Sequence, residues 1–267
     1  MNDNIIQQLK DEGVIKIPNF FNSEELDFTR KIINKYKAPK GDPMSYFSTN
    51  NKHLFYKILK FKFKKFLEDK KILSIAKEKK IGVLASQFFG EASYLKFIDG
   101  YYSPISNKDV LPWHTDQSYE GDEKNQTGYV NPDHGHLKFF IYLTKVSSNN
   151  GCMSYIPKSH KIGYAIRKGV YEGQLKYQPY FTIKDFRNFI LLKENASYVK
   201  NHINNLDLYD NFLDDTHFAK EDGDTTKFDY EMSPGDAIVF DEGGVHKGSK
   251  SLINDRMVLR YLYSIKK

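Results

Sequence analysis

Residues 111–117 read LPWHTDQ and predict a short strand that carries two candidate metal ligands. In an extended strand, the side chains at positions i and i+2 point to the same face. We therefore expect His114 and Asp116 to project together, with an imidazole nitrogen beside a carboxylate oxygen. A third candidate ligand, His246, stands far downstream in the segment VHKG. These three side chains are predicted to hold one metal ion.

Two histidines and one carboxylate are the ligand set of non-haem ferrous iron oxygenases, which leave the opposite face of the ion open for co-substrate and oxygen. An HxD tripeptide alone is weak support for such a site, because it occurs by chance in many chains. The prediction therefore depends on what the rest of the sequence contains.

Length and composition limit the class of protein. The chain has 267 residues, enough for one β-rich domain, since such domains run to about 200–250 residues. The 40 basic residues exceed the 34 acidic ones by 6, without the dense basic stripe of a nucleic-acid-binding protein. Cys152 is the only cysteine, so no internal disulfide forms, and no apolar run approaches the roughly 20 residues of a membrane span. We expect a cytoplasmic protein that binds neither nucleic acid nor a membrane; its oligomeric state stays open.

The pattern along the chain divides it into a helical flank, a strand core and an insertion. The first 80 residues are mostly helical around a brief strand at 14–17, with Ser23 as a predicted N-cap. From Ile81 the pattern changes to strands, one of which is expected to end at an Asp99-Gly100 turn. Residues 161–230 are too long for a simple connection and are typical of a partly helical insertion or lid. We expect a single domain, residues 1–267, with its strand core in 81–160 and 231–267.

Several segments resemble the phytanoyl-CoA dioxygenase family of iron and 2-oxoglutarate oxygenases. They are DEGV at 11–14, NFF at 19–21 and WHTDQ at 113–117. NGCM at 150–153 and IPKSHK at 156–161 resemble the family's NGC…IPGSHK segment, with Lys158 in place of the usual glycine. PGDA at 234–237, ahead of His246, resembles the family's PGD strand and distal ligand. These segments span nearly the full chain in the family's order.

The resemblance implies a mainly β fold with flanking helices, a double-stranded β-helix or jelly roll of the cupin kind. It implies His114, Asp116 and His246 as the catalytic Fe(II) ligands, with 2-oxoglutarate and O2 as co-substrates. The family places an arginine roughly eleven residues after the distal histidine, where its planar fork pairs with the far carboxylate of 2-oxoglutarate. Arg256 is the expected anchor, with Arg260 as the alternative and Ser249 as a second donor to that carboxylate.

The implied reaction is the hydroxylation of a C–H bond in a small molecule, with release of succinate and CO2. Because Asp116 is present, hydroxylation is favoured over halogenation, since related halogenases lack the carboxylate ligand. The basic excess and the lysines of the insertion suggest an anionic substrate.

Three other functions fit part of the pattern. A hydrolase could use the same triad to hold zinc and a water molecule, with Glu242 or Glu120 as general base, but this leaves Arg256 unexplained. A non-catalytic ligand-binding jelly roll would not need an intact triad. A nucleic-acid demethylase of the same cofactor class would need a closely spaced arginine pair that is missing here.

A few further residues are weaker candidates. His134 and His136 form a second i, i+2 pair, for which a loop location is favoured over a metal site. His160 is expected to make a structural hydrogen bond within its own segment. Candidates for the lining of the pocket are Trp113, Gln117, Tyr101, Tyr102 and Tyr119.

Overall fold

The computed structural model describes residues 3–36, 45–49, 63–116, 135–148, 150–178, 180–221 and 223–265. The strands in these ranges are β1 (Val14–Ile17), β2 (Ser45–Thr49), β3 (Ser93–Ser103), β4 (Leu111–His114), β5 (His136–Tyr142), β6 (Met153–Tyr155), β7 (Asp229–Tyr230), β8 (Ala237–Asp241), β9 (His246–Gly248) and β10 (Arg256–Ile265). They pair antiparallel in two sheets, one in the order β1-β8-β5-β10-β3-β2 and one in the order β4-β9-β6-β7. This arrangement confirms the predicted jelly-roll fold.

The helices precede and interrupt the strand core. They are α1 (Asp3–Glu12), α2 (Ser23–Ile33), α3 (Phe63–Glu78), α4 (Ile81–Phe89), α5 (Ser159–Tyr171), α6 (Ile183–Leu191), α7 (Lys193–Ile203) and α8 (Leu206–Lys220). No helix in the described ranges has the length and apolar character needed to cross a bilayer.

The larger sheet separates two apolar layers because successive side chains of a strand point to opposite faces. On β8, Ala237 and Val239 belong to the cluster that the amino-terminal helices cover, together with Leu9 and Ile33. Ile238 and Phe240, also on β8, belong to the cluster on the opposite face, which includes Met153 and Tyr155 of the smaller sheet. The smaller sheet therefore packs on the face of β8 that carries Phe240, and the space between the sheets opens on this side.

The predicted insertion is helical over most of its length. Helices α5 to α8 surround their own apolar cluster, which includes Phe186, Phe189 and Phe212. Trp113 of β4 and Val245, next to β9, belong to the same cluster. The insertion thus supports the outer face of the two short strands that carry the candidate ligands.

Two sequence predictions about strands were wrong. Residues 81–89 form helix α4 rather than a strand, with Ile81, Leu84 and Ala85 buried at helical spacing. Asp99-Gly100 is not a turn, because β3 continues through it and pairs with β10 as far as Ser103. Ile33 packs closely on Gly100, since a Cβ at this position would lie 2.6 Å from Cδ1 of Ile33 and would require that side chain to move.

The N-cap of α2 is Asn22, not Ser23 as predicted. The Asn22 side chain accepts from the Glu25 backbone N–H at 2.9 Å, and the Glu25 carboxylate accepts from the Asn22 backbone N–H at 2.8 Å. This reciprocal capping box forms because the two residues are three positions apart.

Candidate active site

Two short neighbouring strands bring the three predicted ligands together. His114 ends β4 and is paired in register with His246, the first residue of β9. Asp116 lies just beyond β4, with Oδ1 3.4 Å from His114 Nε2 and Oδ2 3.1 Å from His246 Nε2. All three ligand atoms lie within 4.8 Å of one another, close enough to coordinate one ion.

Backbone carbonyls fix the tautomers of both histidines. His114 Nδ1 lies 2.6 Å from the Pro112 carbonyl oxygen, and His246 Nδ1 lies 2.9 Å from that of Gly244. Because a carbonyl oxygen can only accept, each Nδ1 carries the proton and donates it. The Nε2 lone pairs are then free to bind a metal, which is the arrangement that supporting hydrogen bonds produce at metal-binding histidines.

The electrostatic surroundings favour the metal-binding forms of His246 and Asp116. Burial lowers the pKa of His246, and the neighbouring His114 lowers it further, so the imidazole stays neutral. Burial opposes ionisation of Asp116, but the positive charge of Lys138 is the largest effect in the other direction, and the pKa of this carboxyl lies well below its usual value. Neutral imidazoles and an ionised carboxylate are the donor set that suits ferrous iron.

A cavity of about 190 Å³ adjoins the three ligands. This is smaller than the roughly 300–1,000 Å³ of pockets for drug-sized ligands, and it suits a small co-substrate. The lining is mixed, with apolar, cationic and ligand side chains: Tyr101, Val110, Leu111, His114, Asp116, Lys138, Phe140, Met153, His246, Lys247, Gly248, Arg256 and Arg260.

The two candidate arginines differ in what they bind. Arg256 is only 4% exposed, and its Nε and Nη1 have no hydrogen-bond partner among the described residues. Arg260 also lines the cavity, but its Nε donates to Asp99 at 2.8 Å and its Nη2 donates to the other oxygen of that carboxylate. A buried guanidinium with unused donors needs an anionic partner, so Arg256 fits the far carboxylate of a bound keto-acid better than Arg260 does.

Ser249 is not among the residues that line the cavity. Its hydroxyl lies 3.4 Å from Ser154 Oγ and 3.8 Å from Cys152 Sγ. Since side chains alternate along an extended segment, Ser249 faces the side opposite to His246 and Gly248. Its predicted contact with 2-oxoglutarate has no support in this geometry.

The remaining candidates have structural partners or lie outside the described residues. His136 is buried at the start of β5 rather than in a loop, and it bonds to Glu242 through Nδ1. The His160 ring donates through Nε2 to the Lys10 carbonyl oxygen at 3.0 Å. This partner is far away in sequence, whereas the prediction was a hydrogen bond within the segment of His160 itself. Tyr101 lines the cavity, whereas Tyr102 bonds to Asp255 and Trp113 packs in the insertion cluster. Outside the described residues lie Gln117, Tyr119, Glu120 and His134.

Sequence reasoning missed Lys138, which lines the cavity and bonds to Asp116 and Glu242. A signal was available: a lysine stands within the otherwise apolar run LKFFIYL, on the same strand face as Phe140. Burial would lower the pKa of Lys138, but the neighbouring carboxylates of Asp116 and Glu242 outweigh it and raise the pKa, so the ammonium stays charged.

The family model for phytanoyl-CoA dioxygenase matches residues 9–253. No protein of curated function matches the sequence significantly. Among solved structures, HygX from Streptomyces hygroscopicus with nickel and 2-oxoglutarate bound is 16% identical, with a TM-score of 0.60 over 99% of this chain and 87% of that one. EvdO2 from Micromonospora carbonacea var. aurantiaca, complexed with 2-oxoglutarate, is 13% identical, with a TM-score of 0.56 over 100% of this chain and 91% of that one.

A third similar structure is SnoK, a non-heme alpha ketoglutarate dependent carbocyclase from nogalamycin biosynthesis. It is 12% identical, with a TM-score of 0.56 over 99% of this chain and 84% of that one. At these identities the structures establish the shared fold, and the family model establishes the membership. The chain belongs to the phytanoyl-CoA dioxygenase family of Fe(II)- and 2-oxoglutarate-dependent oxygenases.

Proposed function

We propose that the protein hydroxylates a C–H bond of a small molecule while 2-oxoglutarate is converted to succinate and CO2. One atom of O2 enters the substrate as a hydroxyl group and the other enters succinate. The four-electron reduction of O2 therefore balances a two-electron oxidation of each organic partner. His114, Asp116 and His246 hold the iron, which supplies the redox chemistry that O2 requires.

The observation that carries the proposal is the placement of Arg256. Its buried guanidinium lines the same cavity as the three ligands and keeps two nitrogens without a partner among the described residues. A dicarboxylate that reaches from the ligand cluster to Arg256 would satisfy these donors. Neither a zinc-bound water nor an empty ligand pocket gives the guanidinium a partner.

The other residues around the cavity orient the co-substrate and exclude water. Tyr101, Phe140 and Met153 provide apolar walls. The Arg256 side chain lies against the Tyr142 ring, 5.6 Å from its centroid, which limits the positions of the guanidinium. Such walls raise the strength of the charge pairing, because a water-poor site has a low effective dielectric constant.

Of the two candidate general bases for a zinc hydrolase, Glu242 lies among the described residues, and its surroundings do not suit that role. Glu242 is buried and does not line the cavity, and its carboxylate is occupied by Lys138 and His136. Although burial opposes ionisation, Lys138 and His136 lower the pKa of Glu242 to about 2, too low for a base that works near neutral pH. Glu242 therefore does not support a zinc-dependent hydrolysis at this site.

The charge of the substrate stays a prediction from composition. A groove of about 950 Å³ beside the ligand-bearing strands contains lysines and acidic residues in equal number. They are Lys184, Lys220, Lys247 and Lys250 against Asp109, Glu221, Asp224 and Asp229. This balance gives no preference for an anion, so we propose a small molecule without assigning its charge.

The test is oxygen-dependent succinate release. With Fe(II) and 2-oxoglutarate under anaerobic conditions, the wild-type protein is expected to give a weak visible charge-transfer band, and admission of oxygen is expected to yield succinate. His114→Ala is expected to lose both signals, whereas His217→Ala, an exposed histidine on α8, is expected to keep them. Absence of both signals from the wild-type protein, with zinc-dependent cleavage of an ester or amide instead, would establish the hydrolase.

A further inference from the structure

Lys138 makes the closest ionic contact of Asp116 among the described residues. Its side chain is 7% exposed, and its ammonium donates to Asp116 Oδ2 and to Glu242 Oε2, the latter at 3.0 Å. The lysine contacts one oxygen of Asp116 and leaves the other, Oδ1, facing His114.

The contact continues as a chain of hydrogen bonds away from the cavity. Glu242 Oε1 accepts from His136 Nδ1, and His136 Nε2 lies 3.0 Å from the Lys96 ammonium. Because an ammonium can only donate, His136 Nε2 accepts and Nδ1 carries the proton. The chain therefore runs from Lys96 through His136 and Glu242 to Lys138, and it ends at the carboxylate of Asp116.

Asp116 needs such a restraint because the strand does not hold it. β4 ends at His114, and the Asp116 backbone N–H makes only a long bond to the Glu242 carbonyl oxygen, at 3.2 Å. His114 and His246, in contrast, sit in paired strands and bond through Nδ1 to backbone carbonyls. Lys138 gives the third ligand the support that the backbone gives the other two.

Stability alone does not explain a buried lysine on this strand. Removing charges from water costs several kcal/mol per ion by general estimates, and apolar replacements of buried pairs are often neutral or stabilising. The neighbouring residues of β5 are apolar on both faces: Phe139 and Ile141 on one, and Phe140 on the face that carries Lys138. A charged residue at such a position is better explained by the carboxylates that it binds.

We propose that Lys138 is a positioning residue that orients the Asp116 carboxylate for metal binding and is itself held by Glu242. The proposal rests on the proposed function, since it assumes that the three ligands take up a metal. In this role Lys138 acts through Asp116 and transfers no proton. Its prediction concerns metal affinity rather than turnover.

The experiment compares metal binding by the wild type, a charge-matched double variant and a control variant in the absence of 2-oxoglutarate and oxygen. Lys138→Met alone leaves Glu242 buried without its cation and can impair folding. The double variant Lys138→Met/Glu242→Gln removes one charge of each sign, and a glutamine oxygen still accepts from His136. The control is Lys96→Met, which removes the far end of the chain. Ni2+ dissociation constants and the visible spectra of Co2+-loaded proteins are measured for each variant.

We expect the double variant to bind Ni2+ about 10–100-fold more weakly, the usual cost of losing a residue that supports a metal ligand, and to show an altered Co2+ spectrum. Lys96→Met is expected to match the wild type in both readouts. A folded double variant with wild-type Ni2+ affinity and Co2+ spectrum would overturn the assignment of Lys138 and leave the proposed function standing. A wild-type protein that binds neither metal would overturn both.

Discussion

Replacing Arg256 with methionine is expected to stabilise the protein without co-substrate and to destroy its affinity for 2-oxoglutarate. The guanidinium is buried, and its Nε and Nη1 have no partner among the described residues. Methionine fills much of the same space without a charge. The two effects have opposite signs because the arginine is placed for a ligand rather than for the fold.

The magnitudes follow from the contacts. A buried donor without a partner costs about 1–3 kcal/mol, and the loss of the Tyr142 ring contact offsets roughly 0.5–1 kcal/mol of the gain. The variant should therefore gain about 0.5–2 kcal/mol, or roughly 1–8 °C in melting temperature for a chain of this size. Two charge-assisted hydrogen bonds of about 1.5–3 kcal/mol each correspond to a loss of roughly 10²–10⁴-fold in 2-oxoglutarate affinity.

The assay is thermal unfolding of Arg256→Met and wild type with Ni2+, in the presence and absence of 2-oxoglutarate. Ligand that binds only the folded state raises the melting temperature of the wild type, and this rise should vanish in the variant. The control is Arg260→Met, which leaves Asp99 buried and unpaired and should cost about 3–5 kcal/mol of stability. Destabilisation by Arg256→Met would contradict this prediction. A variant that keeps the full response to 2-oxoglutarate would contradict it as well and would move the anchor to Arg260.

Two further predictions concern the fold around the site. Burial lowers the pKa of His160, so its stabilising contribution is complete above the unfolded-state pKa near 6.5 and is lost as the pH falls through the lowered folded-state pKa. Urea titrations should therefore show the free energy of unfolding declining below about pH 6.5, with a smaller decline in His160→Gln. An equal slope in both proteins would contradict this. A Cβ at Gly163 of α5 would lie 2.3 Å from the Gly243 carbonyl oxygen. Gly163→Ala should therefore lower the free energy of unfolding by about 1–3 kcal/mol or more in the same titration. Wild-type stability of this variant would show that the helix can move away.

The clustering of the three candidate ligands was predictable because its signals are local. The HxD spacing keeps His114 and Asp116 close in an extended segment, although β4 itself ends at His114, and His246 follows a buried strand that begins after a Pro-Gly-Asp turn. The spacing between His246 and Arg256 can likewise be read from the sequence without knowledge of the strand pairing. Short-range spacing of chemically distinctive residues is the part of a site that sequence carries most directly.

The supporting contacts were not predictable, because they join residues that only tertiary structure brings together. Lys138 meets Asp116 and Glu242 across separate strands, and nothing adjacent to Glu242 in sequence distinguishes it from a solvent-exposed acid. The Asp99-Gly100 pair has the composition of a turn, yet strand pairing with β10 and the approach of Ile33 override that preference. The predicted contact of Ser249 with 2-oxoglutarate depends on which face of the strand its side chain occupies, and a shift of one residue in register reverses that face.

We propose that three remote side chains and Arg256 together form the binding site of one metal ion and one 2-oxoglutarate molecule. Anomalous diffraction at the nickel edge, from crystals grown with Ni2+ and 2-oxoglutarate, tests it most directly. We expect one peak bounded by His114, Asp116 and His246, with the far carboxylate of 2-oxoglutarate on the Arg256 guanidinium. A peak bounded by other side chains, or a keto-acid whose far carboxylate pairs elsewhere, would contradict it.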